Sequence, residues 1–390
     1  MPVRVLHVEG NSDGTVGGSH RALVDLVERV DRTRFEPVVL FYQDNVHVET
    51  LRSRGVEVLL YEQERAREVE IRRAGGRFRK LVDFGAAIGR RVAFLKQQRI
   101  ALVHLNNSPL FGFSDWLPAA RLRRIPCITF AMGDAEIHRG LNRWFARRFD
   151  HVIACSRYME QAMRAIGVSE DRLSWTYLGI DVVRLNADLR QSAPETRRQL
   201  GVPADGVLAV MVGNLREWKG QHVLLDAMRL LDSDVRRQLH VRFVGAASAA
   251  DEGYVRRLEH AIAALGAHDH VRFLGARDDV PTLLAAADIA VHASVIPEPF
   301  GLVVPEAMAQ GTAVVASRFG GPGEVLRPES GRTFDPSRPM ELALHLSELV
   351  RDPDLRRRLG SAARARAREF DLSIPAMVAR VESVYMKLLG

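Results

Sequence analysis

Cysteine is almost missing from this sequence, and long apolar runs are missing altogether. Cys127 and Cys155 are the only cysteines among 390 residues, and we expect both to be reduced core residues rather than a disulfide or half of a metal site. No segment has the roughly 18 uninterrupted apolar residues that a membrane span needs. The chain starts with a strand-like run and lacks the regions of a secretory signal. A cytoplasmic protein is therefore expected.

Metal motifs and repeats are also absent or weak. The strings Asp232-Ser-Asp234 and Asp352-Pro-Asp354 fall at predicted helix ends and are typical of caps. Because no further ligands accompany them, they do not make a hard-cation site. The sequence has no low-complexity tract and no repeat of solenoid period. It therefore predicts neither a metal nor a cofactor.

Acidic residues are too few to balance the basic ones in the first half of the chain. Residues 1–185 hold 29 Lys and Arg against 22 Asp and Glu, whereas residues 186–390 hold 26 of each, so the net charge of +7 lies in the first half. The spacing predicts basic helix faces, which are either solvated or dock on an anionic membrane surface or an acidic acceptor. Without a reading module they do not indicate nucleic acid. The clusters are Arg72, Arg73, Arg77, Arg79, Lys80, Arg90 and Arg91, and then Arg139, Arg143, Arg147 and Arg148, interleaved with Phe78, Leu81, Phe84, Ile88, Trp144 and Phe145.

The apolar pattern alternates between strand and helix along most of the chain. A chain of this length is too long for one ordinary core. The alternation predicts an α/β fold of two Rossmann-like, doubly wound parallel sheets, in domains 1–185 and 186–370. Residues 186–206, rich in Pro and Gly, are predicted to be the lead-in to the second domain. The predicted strands lie near 3–8, 37–42, 56–60, 101–105, 126–130, 151–155, 207–212, 240–245, 270–274, 288–292 and 313–316.

Two cations follow the strand at 207–212. Gly213, Arg216 and Lys219 lie at the predicted carboxyl edge of the sheet, where open α/β folds bind ligands. Fixed positive charge there would stabilise a departing diphosphate without proton transfer. The alternative is that both cations are ordinary exposed residues of a helix start, where they would oppose the helix dipole. We predict that this segment binds a sugar nucleotide as the donor of a sugar. Arg216 and Lys219 are the candidate catalytic residues, and Gly213 is a candidate donor contact.

A second segment, residues 298–306, supplies two carboxylates. Pro299 and Gly301 predict a tight turn that aims Glu298 into the site, before a helix that starts near 302–305. Carboxylates are good acceptors for paired sugar hydroxyls, so Glu298 is a candidate catalytic residue. A favourable charge near the helix N-terminus, worth about 0.3–1 kcal/mol, would explain Glu306 without a ligand. The predicted donor-binding residues are Phe300, Gly301, Leu302, Val303 and Glu306, with backbone N–H groups facing phosphate.

The first loop, residues 14–19, is rich in glycine. It follows the first strand and opens the first helix, where free N–H groups favour an anion or a sugar oxygen. The spacing is not Gly-x-Gly-x-x-Gly, so it does not indicate a dinucleotide. A plain turn is an equal alternative to the predicted contacts of Gly17 with the acceptor or sugar and of Gly18 with the donor.

Together these motifs resemble the retaining glycosyltransferases of family 4, which have the GT-B fold. The resemblance covers essentially the whole chain, and Glu298-x7-Glu306 is its most specific element. It implies two domains facing a central cleft, with residues 371–390 as a helix that crosses back to the first domain. It also implies that Arg216 and Lys219 bind the donor diphosphate. The remaining implied contacts are Glu298 with hydroxyls of the transferred sugar, Glu306 with the ribose, and Arg277, in the loop Gly275-Ala276-Arg277, with the base.

One position departs from the family. A histidine is common just after the fifth strand, near the reacting sugar, whereas this chain has Ala131, which cannot hydrogen-bond a sugar. Asp134 and His138 in the same loop are the candidate acceptor or sugar contacts. A histidine at a helix start is also typical of a surface residue.

The sequence therefore predicts a metal-independent, retaining enzyme. It would move a sugar from a UDP-linked donor to a glycan, lipid-linked or small-molecule hydroxyl, with an anionic membrane surface at the inner face of the membrane as a further partner. Two alternatives stay open. One is a catalytically weakened sugar-nucleotide-binding module, and the other is a sugar-nucleotide epimerase or phosphorylase on the same architecture.

Overall fold

The computed structural model describes residues 2–10, 17–61, 77–107, 115–133, 140–181, 187–369 and 372–390. The chain divides into two compact units. The first comprises Met1–Gly179 and Ile374–Gly390, and the second comprises Ile180–Ser373. The chain passes from one unit to the other after Gly179 and again after Ser373. Near these positions, the N–H of Ile180 donates to the carbonyl of Leu372 at 2.7 Å. A Cβ on Gly179 would lie 2.4 Å from the Cα of Ile374. No side chain larger than hydrogen fits at residue 179.

The first unit is built on a parallel sheet of order β3-β2-β1-β4-β5-β6-β7. A short 3-10 turn, Glu170–Arg172, precedes its last strand. The strands are β1 (Val3–Glu9), β2 (Phe35–Phe41), β3 (Glu57–Leu60), β4 (Leu102–Asn107), β5 (Cys127–Ala131), β6 (His151–Ala154) and β7 (Leu173–Trp175). The helices are α1 (Gly18–Arg29), α2 (His47–Ser53), α3 (Arg77–Gln97), α4 (Trp116–Leu122), α5 (Gly140–Ala146), α6 (Arg157–Ala165) and, at the end of the chain, α16 (Ile374–Leu389).

The second unit repeats this plan with sheet order β10-β9-β8-β11-β12-β13. Its strands are β8 (Val207–Val212), β9 (Leu239–Val244), β10 (Val271–Phe273), β11 (Ile289–His292), β12 (Ala313–Ser317) and β13 (Arg332–Phe334). Its helices are α7 (Ala193–Gln199), α8 (Gln221–Leu230), α9 (Ser233–Gln238), α10 (Glu252–Ala264), α11 (Val280–Ala286), α12 (Val303–Gln310), α13 (Pro322–Val325), α14 (Pro339–Arg351) and α15 (Pro353–Glu369).

Burial on both faces explains the apolar strands. In the first unit, Val39 and Phe41 of β2 pack with Leu23 of α1 and Leu51 of α2. Parallel strands covered by helices on both faces read as continuous apolar runs rather than alternating ones. The predicted fold class, two Rossmann-like parallel-sheet units, is confirmed. The short strands β7 (Leu-Ser-Trp) and β13 (Arg-Thr-Phe) were not predicted, because their polar residues leave no apolar run within either strand.

The segment predicted as a lead-in to the second unit, residues 186–206, contains the helix α7. Pro194 lies in its first turn, where a backbone N–H would have no intrahelical acceptor. Gly201, with φ +67°, follows the helix end in the left-handed conformation. The Pro and Gly that suggested a linker are therefore the start and stop residues of a helix.

Two predictions about individual side chains have clear outcomes. Cys127 and Cys155 are free and buried, which confirms the prediction, and burial raises the pKa of the Cys127 thiol. The prediction of an exposed basic helix face is wrong at Arg91, because α3 packs against α4 there. The Arg91 side chain is 1% exposed and forms an ion pair with Asp115 at 3.0 Å.

Among the helices of the described ranges, none combines the length and the apolar character that a membrane span requires.

Candidate functional site

The candidate site lies where the strand order of the second sheet reverses. β8 and β11 are adjacent and parallel in the sheet. In the chain, 76 residues lie between Val212, which ends β8, and Ile289, which begins β11. The connections from these two strands leave in opposite directions along the sheet, and such a switch point opens a crevice at the carboxyl edge. The loops that carry Lys219 and Glu298 both start from this edge.

A direct ion pair joins the two predicted segments. The Nζ of Lys219 lies 2.8 Å from Oε1 of Glu298, and both side chains are largely buried. Lys219 ends a short 3-10 turn, Glu217–Lys219, and its Nζ lies 4.3 Å from the centroid of the Trp218 ring. A Cβ on Gly213 would contact the Lys219 side chain at 3.4 Å. The predicted convergence of Lys219, Gly213 and Glu298 is present in the structure.

Two polar side chains that sequence reasoning missed hold the other oxygen of Glu298. Nε2 of His292 lies 2.7 Å from Oε2, and the Ser294 hydroxyl donates to the same oxygen at 2.7 Å. His292 is the last residue of β11, and both side chains are buried. A polar residue that ends a predicted central strand was the available signal, because that position faces the crevice.

These contacts control the charge of Glu298. Burial raises the pKa of its carboxyl, but the charges of Lys219 and His292 and the hydrogen bonds from both outweigh burial and hold the pKa well below its usual range. The carboxylate is therefore ionised at neutral pH and fixed at both oxygens.

Backbone contacts fix the Glu298 loop from below. Glu298 forms an isolated parallel bridge with Gly320, and the N–H of Gly321 donates to the carbonyl of Glu298 at 2.9 Å. Gly320 has φ +76°, and a Cβ there would lie 2.2 Å from that carbonyl oxygen. Only glycine fits this approach.

The helix α12 begins directly after the turn, as predicted, and ends at Gly311, which has φ +69°. Phe300 is buried beneath the turn. Glu306 lies in the first helical turn and is buried, and its N–H donates to the carbonyl of Leu302 at 3.1 Å. The first N–H groups of a helix, here around Leu302 and Val303, have no intrahelical acceptor. The start of α12 therefore places the Glu306 carboxylate and N–H groups that lack an intrahelical acceptor near the switch point.

Arg216 and Arg277 each lie beside a carboxylate. Nε of Arg216 lies 3.5 Å from Oδ2 of Asp251, which precedes α10. Arg277 donates to both oxygens of Asp279, at 2.8 and 2.6 Å. Asp251 was not predicted, since it lies in a separate loop and carries no motif. Both arginines remain predicted ligand contacts.

In the first unit, Gly17 precedes the first turn of α1 and Gly18 begins the helix. Nearby, Glu9 at the end of β1 is fully buried and accepts a hydrogen bond from the amide of Asn106 at the end of β4. Ala131 ends β5 and is fully buried. The candidates Asp134 and His138 lie outside the described residues.

The two Asp-x-Asp strings have structural contacts. Asp352 accepts from the N–H of Leu355 at 2.8 Å, as expected of a cap. Asp232 is the N-cap residue of α9, as expected, but its side chain makes no cap hydrogen bond and instead accepts from Arg351 at 2.6 Å. Among the described residues, no group of three or more His, Cys, Asp and Glu side chains could hold a metal ion.

Charged loops at the switch point of a parallel sheet are the arrangement of nucleotide-binding α/β proteins. The model of Glycosyltransferase Family 4 matches residues 16–184, and the model of Glycosyl transferases group 1 matches residues 192–366. Because the two matches cover most of the sequence, the chain belongs to the family 4 (group 1) glycosyltransferases of the GT-B class.

Individual relatives agree with this assignment. The D-inositol 3-phosphate glycosyltransferase of Corynebacterium glutamicum is 34% identical over 234 residues, 58% of this chain and 54% of the relative. That of Streptomyces bingchenggensis is 33% identical over 286 residues, 70% and 58% of the two chains. The chain thus spans about half the length of the curated relatives it matches. The structure of Anabaena Alr3699/HepE in complex with UDP and glucose is 25% identical, with a TM-score of 0.82 over 99% of this chain and 100% of that one.

Proposed function

We propose that this protein transfers a sugar from a UDP-linked donor to a hydroxyl group of an acceptor, with retention of configuration and without a metal. The single observation that carries the proposal is the contact of Lys219 with Glu298 at the switch point. This contact puts a cation, which would bind the diphosphate, beside a carboxylate, which would accept hydrogen bonds from sugar hydroxyls. Family membership and the UDP complex of the Anabaena relative support the same donor class.

The proposed chemistry uses fixed charge rather than a protein nucleophile. Lys219 and Arg216 would stabilise the diphosphate as its bond to the anomeric carbon breaks. Glu298 would accept hydrogen bonds from hydroxyls of the same sugar. The acceptor oxygen would form the new bond on the face from which the diphosphate departs, and a phosphate oxygen would take the acceptor proton.

The remaining predicted contacts orient the donor. The N–H groups at the start of α12 would bind phosphate oxygens, and Glu306 would hold the ribose. Arg277 would lie against the base, and Gly18 would be a further donor contact. Gly17, Asp134 and His138 remain candidates for the sugar or acceptor, since Ala131 offers no polar group.

The proposed acceptor supplies the hydroxyl group that receives the sugar. A glycan, a lipid-linked glycan or a small-molecule hydroxyl fits the sequence, and the names of the curated relatives make D-inositol 3-phosphate a first compound to test. The basic first half supports a cytoplasmic location at the inner face of an anionic membrane.

An acceptor screen with UDP-sugars, read out as UDP release and glycosylated product, tests the proposal. Arg216→Ala and Lys219→Ala should each lower turnover about 100-fold or more, whereas the exposed Arg229→Ala should not. Near-normal rates in both site variants would reject the proposal. Donor binding without transfer or hydrolysis would favour the weakened binding module, and conversion of UDP-sugars without an acceptor or with phosphate would favour the epimerase or phosphorylase.

A further inference from the structure

Several arginines cluster at the amino edge of the first sheet, which is the edge where its parallel strands begin. The turns that lead into β4, β5 and β6 lie at this amino edge, and these strands are neighbours in the sheet. Arg121 donates to the carbonyl of Arg148, and the N–H of Asp150 donates to the carbonyl of Cys127 at 2.9 Å. These bonds join the turns into one surface. We call it the amino-edge surface, and it comprises Arg99, Arg121, Leu122, Arg123, Arg124, Trp144, Arg147 and Arg148.

The arginines of this surface have no carboxylate partner among the described residues. Asp150, the only acidic residue in these turns, accepts a hydrogen bond from the N–H of Cys127 at 2.8 Å. The amino edge at β1–β3 differs, because Arg4 there pairs with Glu36 and Glu57 at 2.6 and 2.7 Å. The six arginines of this surface therefore exceed the single carboxylate of Asp150, and the excess positive charge at β4–β6 favours binding of an external anion.

A cavity of about 450 Å³ opens within this surface. It is lined by Arg121, Arg124, Ile125, Pro126, Asp150 and Leu388. Two guanidinium groups beside apolar side chains suit a phosphate group with attached hydrocarbon, since planar guanidinium binds phosphate in a bidentate manner.

Large apolar side chains flank the arginines. Leu122 is 70% exposed and Trp144 is 48% exposed. The guanidinium of Arg148 lies 3.3 Å from the centroid of the Trp144 ring. Isolated exposed apolar residues are ordinary, but Trp and Leu among several arginines are typical of proteins that lie in a membrane interface.

We propose that the amino-edge surface docks on a bilayer of anionic phospholipid. Phosphate headgroups bind in the cavity between Arg121 and Arg124, and Leu122 and Trp144 enter the boundary between headgroups and acyl chains. The inference rests on the membrane location in the proposed function and not on the transfer chemistry. It assigns that location to the turns before β4–β6, whereas the sequence pointed to helix faces.

Vesicle co-sedimentation of the full chain tests the proposal, with phosphatidylglycerol–phosphatidylcholine vesicles compared with pure phosphatidylcholine. We expect binding to the anionic vesicles alone. The double variant Arg121→Glu, Arg124→Glu should weaken partitioning more than about 25-fold, because each cation near the surface contributes about fivefold. The matched control is Arg229→Glu with Arg237→Glu, since it reverses two exposed arginines of the second unit and changes the net charge by the same amount. Equal loss in the control, or no binding by the unaltered chain, would overturn the proposal.

Two further variants test the apolar contacts. Leu122→Ala and Trp144→Ala should each weaken vesicle binding several-fold, whereas Leu230→Ala should not. Vesicle binding that both variants leave unchanged would overturn membrane docking in favour of simple polyanion binding. Sugar transfer to a soluble acceptor should survive the double variant, so loss of vesicle binding and loss of activity are distinguishable. Circular dichroism and thermal unfolding confirm that each variant folds.

Discussion

Lys219 and Glu298 neutralise each other across the switch point of the second sheet, with Nζ and Oε1 2.8 Å apart. The contact has a cost for the proposed function, because a diphosphate must compete with Glu298 for the same ammonium group. The protein would therefore bind a bare nucleoside diphosphate less tightly than its cations allow. The transferred sugar would offset this loss by giving Glu298 new hydrogen-bond donors.

Glu298→Gln tests this competition. The substitution keeps the shape and removes the charge that holds Lys219, so UDP should bind up to about tenfold more tightly, which corresponds to about 1.4 kcal/mol. Sugar transfer should fall, because the amide is a weaker acceptor for sugar hydroxyls. Titration calorimetry with UDP, together with initial rates, measures both effects. Weaker UDP binding in this variant would show that Glu298 does not compete for Lys219.

His292 and Ser294 should act as positioning residues for Glu298. His292→Leu or Ser294→Ala removes a donor from a buried carboxylate and should cost about 1–3 kcal/mol of stability or transition-state stabilisation. We expect kcat to fall while KM for the donor changes little, with partial rescue in His292→Gln. Loss of the histidine also raises the Glu298 pKa, so the acid limb of the kcat profile should move to higher pH. An unmoved profile would argue for a purely structural role.

Gly320 should be irreplaceable for a geometric reason. A Cβ at Gly320 would lie 2.2 Å from the Glu298 carbonyl oxygen, whereas one at Gly266, which has φ +59°, would contact nothing within 4 Å. Gly266→Ala should cost about 1–2 kcal/mol from the left-handed backbone alone. Gly320→Ala should cost about 1–3 kcal/mol more and lower transfer, because the Glu298 loop must move. Urea unfolding of both variants makes the comparison, and equal costs would contradict it.

Acid should destabilise the first unit through His7 and His104. These residues pair in register on β1 and β4, and burial lowers the pKa of His104 to about 3 and that of His7 well below its usual value. A lowered pKa means that the unfolded chain binds more protons below about pH 6.5. Stability should therefore fall as pH drops from about 6.5 toward 3, by up to about 1.4 kcal/mol per pH unit for each histidine.

Unfolding titrations at pH 7.5 and 5 measure this slope. His7→Phe should flatten it, because the variant lacks one of the two imidazoles that take up a proton on unfolding. The substitution removes no hydrogen bond seen in the described part of the chain, where both ring nitrogens of His7 lack a partner. The exposed His260→Gln should leave it unchanged. A slope identical in His7→Phe would contradict the assignment.

The fold could be predicted from the sequence because strands and helices are marked by the pattern of neighbouring residues. Apolar runs predicted the strands of both sheets except β7 and β13, and the Pro and Gly of the 298–301 turn predicted the start of α12. Lys219 and Glu298 were predictable because each follows a strand, and parallel strands end at the same edge. Asp251 was not, because its approach to Arg216 depends on a loop with no pattern of its own. The prediction for Arg91 was wrong because an arginine on a basic helix face can still be buried against a carboxylate at the start of another helix.

His292 shows which part of the site could not be predicted from the sequence. Its position at the end of β11 was visible, but its contact with Oε2 of Glu298 depends on a side-chain geometry that the tight turn and Gly320 set together. Similarly, the arginines of the amino-edge surface become informative only when the sheet order brings three separate turns together.

The most direct test of the central claim is calorimetric titration of a UDP-sugar into the unaltered chain and into Lys219→Ala, with Arg229→Ala as the control. If the switch point binds the diphosphate, Lys219→Ala should weaken donor binding at least about tenfold and the control should not. Equal affinity in all three proteins would place the donor elsewhere and contradict the account.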